Sequence, residues 1–275
     1  LHDATRDETY NKDVITIVCI GQNTSDTIHV EPAGTLSELA GDPEAIVNLT
    51  LTGYLNGTDI KFIRSLKNLQ RLDISGARIV EGGDKYYQNY LTANDITGDY
   101  MFCNLPNLTR LVLSNHTTKI ATAALSNCTG LTEIEIPASV TSVEKAVFNG
   151  CNQLLLINWN AQAAITAESF DTPAKMENLL IFAPEGTGCT YEGNVVINGI
   201  AEKISLTHGK GFRSPQAFKA KDITYKRNFS MKSGNKINAA GWEAIVLPFD
   251  VQSFSNEKQG ELAPFNSGKK GAKPF

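Results

Sequence analysis

No stretch of this 275-residue chain is apolar for long enough to cross a bilayer. Its longest aliphatic run is "LLLI", Leu154–Ile157, whereas a spanning helix needs about 20 apolar residues. Neither sign of charge dominates: the formal net charge is −4, which excludes a general attraction to nucleic acid or to anionic membrane. Histidine is scarce, with His2, His29, His116 and His208 widely dispersed. No GxSxG, HExxH, Walker-type or GxGxxG pattern occurs, so no catalytic constellation stands out and no cofactor is implied. The five cysteines (Cys19, Cys103, Cys128, Cys151, Cys189) show neither CxxC nor HxxxH spacing, which argues against a metal site. There is no initiator methionine and no signal-peptide pattern at "LHDATRDETY". The expectation is a processed or trimmed product whose export signal has been removed.

What is present is a repeat. Short apolar pairs recur at Leu49/Leu51, Leu72/Ile74, Leu111/Leu113, Ile134/Ile136, Ile157/Trp159 and Ile181/Ala183, in steps of 23, 39, 23, 23 and 24 residues. The long step is one period plus a 16-residue insertion within "GARIVEGGDKYYQNYLTAND". The second half of each unit repeats too. Ile63, Phe102, Leu125 and Phe148 share one column; Leu66, Leu105, Cys128 and Cys151 a second; Leu69, Leu108, Leu131 and Leu154 a third. A fifth unit, with Phe170 and Met176, is one residue short. A column that accepts leucine or cysteine asks for a compact apolar group, which favours buried thiols at Cys128 and Cys151 over the alternative of a disulfide.

Within each pair apolar and polar residues alternate, the signature of a half-buried strand. One strand per 23 residues cannot bury its apolar face alone, but stacked units give a parallel ladder with a continuous interior. The expected fold is a leucine-rich-repeat solenoid with turns or short helices on the return side, followed by a small all-β module. The expected divisions are an N-terminal strand and cap segment at 1–45, the solenoid at 46–186 with its insertion near 77–95, and a C-terminal β-rich module at 187–275. Charge shifts across the last boundary, from 12 Lys/Arg against 23 Asp/Glu up to Ile200 to 13 against 6 beyond it. "DVITIVCIG" (13–21) reads as a strand. "TIHVEPAGTLSELAGDPEAI" reads as a strand, a turn and a brief helix, with Thr35 and Glu38 in capping-box positions. "DITYKRNFSM" and "WEAIVLPFDVQSF" are further strand candidates. The apolar ending "FNSGKKGAKPF" suggests that the native protein continues.

With these residues in view, the chain resembles BspA-type leucine-rich-repeat proteins, whose unit reads LxxLxLPxxxTxIxxxAFxxCxxL. "LTEIEIPASVTSVEKAVFNGCNQL" follows that unit through Leu131, Ile134, Ile136, Pro137, Val143, Ala146, Phe148, Cys151 and Leu154. The resemblance covers roughly Ile46 to Thr187, and the first two units depart further from the pattern. "HVEPAGTLSEL", "LTGYLNGTDIKFIRSL" and "YKRNFSM…GWEAIVLPFDV" resemble flanking segments on such proteins from gut and mouth anaerobes. The resemblance implies an exported, surface-associated, non-enzymatic protein. It also implies a possible lipid anchor upstream and, for some members, adhesion to host matrix proteins or other bacteria.

The outward strand positions are either the candidate binding face or, equally well, an ordinary solvated sheet face with salt bridges between coils. Thr50, Asp73, Val112, Glu135 and Asn158 lie within the pairs, and Asn48, Arg71, Arg110, Glu133 and Leu156 precede them. Arg71 and Arg110 fall on neighbouring coils, and arginine is common at interfaces. Glu133 and Glu135 share a face, where a solvated pair is favoured over acid–base work. Tyr86, Tyr87 and Tyr90 in the insertion either recognise a sugar or protein or fold back on the solenoid flank, with the second preferred. Trp159 and Trp242 read as core. The binding residues expected are therefore Arg71, Asp73, Arg110, Glu133, Glu135, Asn158, Tyr86, Tyr87 and Tyr90. The partner is a protein or glycan rather than nucleic acid, and a carbohydrate-uptake component and a structural spacer are the alternative roles.

Overall fold

A computed structural model describes residues 26–171 and 175–226. The strand candidate at 13–21, Cys19, His2, Trp242 and the strand candidate "WEAIVLPFDVQSF" lie outside the described residues; of "DITYKRNFSM", Asp222–Lys226 is described and is strand. In chain order the strands are β1 (Asp26–Val30), β2 (Asn48–Leu55), β3 (Arg71–Ile79), β4 (Gly82–Tyr87), β5 (Tyr90–Thr92), β6 (Ile96–Thr97), β7 (Arg110–Val112) and β8 (Lys119–Ile120). They continue as β9 (Glu133–Ile136), β10 (Ser142–Val143), β11 (Leu156–Trp159), β12 (Leu180–Ala183), β13 (Asn194–Ile197), β14 (Ile200–Thr207) and β15 (Lys219–Lys226). Two short helices, α1 (Leu36–Leu39) and α2 (Gly57–Ser65), follow the first two strands.

Ten strands form one sheet in the order β1-β2-β3-β7-β9-β11-β12-β13-β14-β15. Its register reproduces the sequence repeat: Leu49 lies beside Leu72, Leu72 beside Leu111, Leu111 beside Ile134, Ile134 beside Ile157 and Ile157 beside Ile181. The ladder reaches further than the repeat count at both ends. Ile28 in β1 sits beside Leu51, again 23 residues on. Ile181 sits beside Val195 after a shortened coil, so pairing runs across residue 187. The inward residues are nearly all sealed, Ile74, Leu111, Ile134, Ile157 and Trp159 among them. Each stabilises the coil by about 1.5–3 kcal/mol relative to exposure, and Trp159 satisfies its indole N–H on the Ala163 carbonyl at 3.0 Å.

The return side carries a second ladder. Tyr100 and Asn104, Ala123 and Asn127, and Ala146 and Gly150 are left-handed, at matching places in three successive coils. Such a conformation costs an L-residue about 1–3 kcal/mol, and regular bonds between coils offset it. The amides of Tyr100, Phe102 and Asn104 donate to the carbonyls of Thr122, Ala124 and Ser126. Those of Ala123, Leu125 and Asn127 donate to Lys145, Val147 and Asn149. Gly150 is required at its place: φ is +77°, and a Cβ would meet Asn127 Oδ1 at 2.3 Å.

Side chains terminate this ladder at both ends. On one side the preceding coil is α2, whose amides face elsewhere. The carbonyl of Asp99 instead accepts from the Tyr86 hydroxyl at 2.8 Å, and those of Met101 and Cys103 accept from Arg64 Nη1 at 2.9 and 3.1 Å. On the other side the fifth coil is one residue short. There Ala146 and Phe148 still donate to the carbonyls of Glu168 and Ser169, and the Asp171 carboxylate takes the third place, accepting from the Gly150 amide at 2.7 Å.

Beneath these turns the columns read from sequence are present. Cys128 and Cys151 are buried free thiols, donating to the carbonyls of Phe102 and Leu125 at 2.9 and 3.2 Å. The aromatic column runs on beyond the repeat: Phe148, Phe170 and Tyr191 stack with centroids 4.9 and 4.4 Å apart.

The first coil is fastened differently from the sequence expectation. Thr35 precedes α1 without making a side-chain cap, and its hydroxyl instead donates to the Pro32 carbonyl. The helix is a single turn, too short to present Glu38 back to it. The capping box belongs to α2, formed by Asn56 and Asp59. Asp59, 1% exposed, also accepts from the amides of Gly34 and Leu36 at 2.6 and 3.0 Å, tying the cap segment to the next coil.

Candidate functional site

The outward face of the large sheet is divided in two. Toward the C-terminal coils its outward residues are apolar and buried: Leu156, Leu180, Phe182 and Val196. They lie on the opposite side of the sheet from the main core, beneath the chain that returns after β13. That chain turns at Asn198–Gly199, both left-handed, into β14. Two asparagines bracket its backbone. Asn194 accepts from the Ser205 amide at 2.6 Å and donates to the Ser205 carbonyl at 3.1 Å. Asn178 accepts from the Thr207 amide at 2.7 Å and donates to the carbonyls of Thr207 and Lys210 at 3.1 and 3.2 Å. Phe218 meets Phe182 edge-on at 5.8 Å. Residues 200–218 thus form a strap over the apolar half.

Toward the N-terminal coils the same face is polar and open. Arg71 and Arg110 are register partners on β3 and β7, and Arg110 and Glu133 on β7 and β9. One step along, Thr50, Asp73, Val112, Glu135 and Asn158 form the neighbouring row, all half-buried. Arg71 is exposed, and among the described residues it makes no ion pair. Asp73 accepts from the Ser75 amide at 2.9 Å, an Asx-type turn at the bulge between β2 and β3.

Glu133 departs from the solvated carboxylate that sequence favoured. It is 7% exposed and lies where the open half meets the strap. Arg213 Nη1, from the strap, stands 2.9 Å from one of its oxygens, and Arg110 Nη2 stands 3.6 Å from the other. Glu133 and Glu135 do share a face, but only Glu135 keeps substantial solvent contact.

The tyrosines of the insertion fold back on the solenoid flank. They sit on the β4–β5 hairpin, which packs on α2. Tyr86 is buried and bonded to Asp99, and burial pushes its phenol well above the usual value. Tyr87 lies under the Arg64 guanidinium, 4.4 Å from ring centroid to Cζ. Tyr90 and Tyr100 are in contact at 5.4 Å. Six of the nine residues marked from sequence (Arg71, Asp73, Arg110, Glu133, Glu135 and Asn158) are therefore gathered on one face, and the three tyrosines lie elsewhere.

Sequence reasoning missed Arg213 and the strap. The available signal was the replacement of charge by Leu156, Leu180 and Phe182 at outward positions of the last coils, which calls for a cover. Among the described residues no three His, Cys, Asp or Glu side chains are grouped so as to hold a metal ion, and no helix is long and apolar enough to cross a membrane.

Residues 95–185 match the family described as "BspA type Leucine rich repeat region", in six copies. No curated protein matches the chain. The matched span carries the left-handed return turns, the cysteine column and the outward row from Arg110 to Phe182. By that match and by the 23-residue ladder it lies in, residues 95–185 are a BspA-type leucine-rich-repeat region.

Proposed function

We propose that the chain is an exported, non-enzymatic binding protein that recognises a macromolecule at a cell surface through the open half of its strand face. Repeats of this family suit protein binding in general, and a solenoid offers a long rigid surface for it. The observation that carries the reading is the contrast between the two halves. The apolar half is occupied by the protein's own strap. The polar half presents an exposed Arg71, without an ion pair among the described residues, beside Arg110 around the small apolar centre Val112.

The test is a binding screen against immobilised extracellular-matrix proteins and a glycan panel, run beside an Arg71→Ala/Arg110→Ala double variant. Protein binding that falls at least about tenfold in the variant supports the reading, since interface arginines commonly contribute more than 1 kcal/mol each. Saturable binding untouched by both changes would move the site off this face. Silence on both panels would favour a spacer.

A further inference from the structure

We propose that Arg213 is a positioning residue for ligand binding: by holding the Glu133 carboxylate, it leaves the guanidinium of Arg110 available, beside that of Arg71, for a carboxylate on an acidic protein segment. This rests on the strand face being the binding surface. Glu133 is the one outward carboxylate in the row of Arg71 and Arg110. Without a competitor it would be the natural partner of Arg110 on the adjacent strand, only about 4.8 Å away. The strap supplies the competitor. Arg213 approaches to 2.9 Å, while Arg110 stays at 3.6 Å, an ion pair with the second oxygen but beyond the distance of a good hydrogen bond. The Arg110 side chain remains 42% exposed, whereas that of Glu133 is 9% exposed. The border carboxylate is thus neutralised from the strap side, and its neighbours keep their charge for a partner.

The surrounding charges narrow the class of partner. Asp73 and Glu135 lie two residues along from Arg71 and Glu133 on the same strands, about 6.6 Å away. The field is therefore positive along one row only. A densely charged polymer such as a nucleic acid or sulfated glycan would be pressed against those two carboxylates. A protein segment brings isolated carboxylates on a neutral backbone, and one such group can be forked by two arginines.

The test is a double-mutant cycle with fluorescein-labelled octaglutamate, read by anisotropy at low ionic strength where exposed charges are least screened. Arg213→Met should weaken binding about two- to fivefold as Glu133 turns to Arg110, and Arg213→Lys should keep most of the affinity. In the Glu133→Gln background, the Arg213→Met change should have little effect. If it weakens binding equally in both backgrounds, Arg213 acts through its charge or through the strap's placement, and the proposal fails. Glu133→Gln alone should tighten binding, which reads the same coupling without disturbing the strap. Tighter binding of heparin than of octaglutamate would replace the acidic segment with a sulfated polymer. If wild type ignores octaglutamate but still binds a matrix protein through Arg71 and Arg110, the partner class is overturned while the binding face stands.

Discussion

Asp59 shows how much one buried carboxylate can organise. Its two oxygens serve the amides of Gly34, Leu36 and Asn56, joining the cap segment, the first helix and the next coil. Asp59→Ala leaves those amides without their acceptor. The expected loss is about 3–5 kcal/mol, seen as a lower urea midpoint with an unchanged slope. An unchanged midpoint would mean that the cap is held by packing alone. Glu144 sets an acid limit on stability. The Lys119 ammonium, followed by Thr122, holds its carboxyl below the ordinary 4.5. A depressed carboxyl contributes stability that is present above the ordinary value and lost as pH falls through the lowered one. Glu144→Gln should therefore flatten the acid limb of a Tm–pH curve, and parallel limbs would refute the assignment. Burial pushes the Cys128 thiol up to about 12 and the Cys151 thiol in the same direction, which withholds the reactive thiolate. In a Cys19→Ser background, native protein should release one rapid equivalent of thiol to an aromatic disulfide reagent, from the exposed Cys189. Two or more rapid equivalents would contradict the buried column.

At the level of elements, the hairpin insertion is a plug for the return-side ladder. Four carbonyls facing α2, those of Asp99, Tyr100, Met101 and Cys103, accept from the side chains of Tyr86 and Arg64. Tyr86→Phe removes one hydrogen bond and should cost about 1 kcal/mol. Arg64→Met removes the donor to three carbonyls together with the contact on Tyr87, and should cost more. Equal melting temperatures for the two variants would sink this ranking. The strap is a second such device, held by side-chain amides that imitate a strand edge. Asn194→Ala should accelerate hydrogen exchange at the Ser205 amide and leave β9 unchanged. Exchange that stays slow there would assign the strap's hold to its apolar contacts.

For the whole molecule, the period, the parallel ladder, the inward columns and the outward row from Arg71 to Asn158 were legible in sequence because each depends on residues one coil apart. What escaped depends on contacts with no period. The shortened coil ending at Val195 dropped the cysteine and leucine columns, so the pattern ended while the ladder went on. The Thr35/Glu38 motif had the right letters but only a single helical turn. Arg213 reaches Glu133 across 80 positions, from a strap that no repeat announces. Of the candidate site, the face could be read from one coil at a time, but its boundary could not. The two-sided ladder has one more consequence. Its interior coils bond to their neighbours in the same way above and below, as layers in a growing crystal do, and Tyr86 with Arg64 at one face and Asp171 at the other act like the impurities that arrest growth. They set the length of the return-side ladder alone, since the strand ladder runs on past both of them. Duplicating the 23 residues from Leu131 to Gln153 should add one layer to the stack and leave both ends as they are, and this is how proteins built on such a stack can change reach without inventing a new fold.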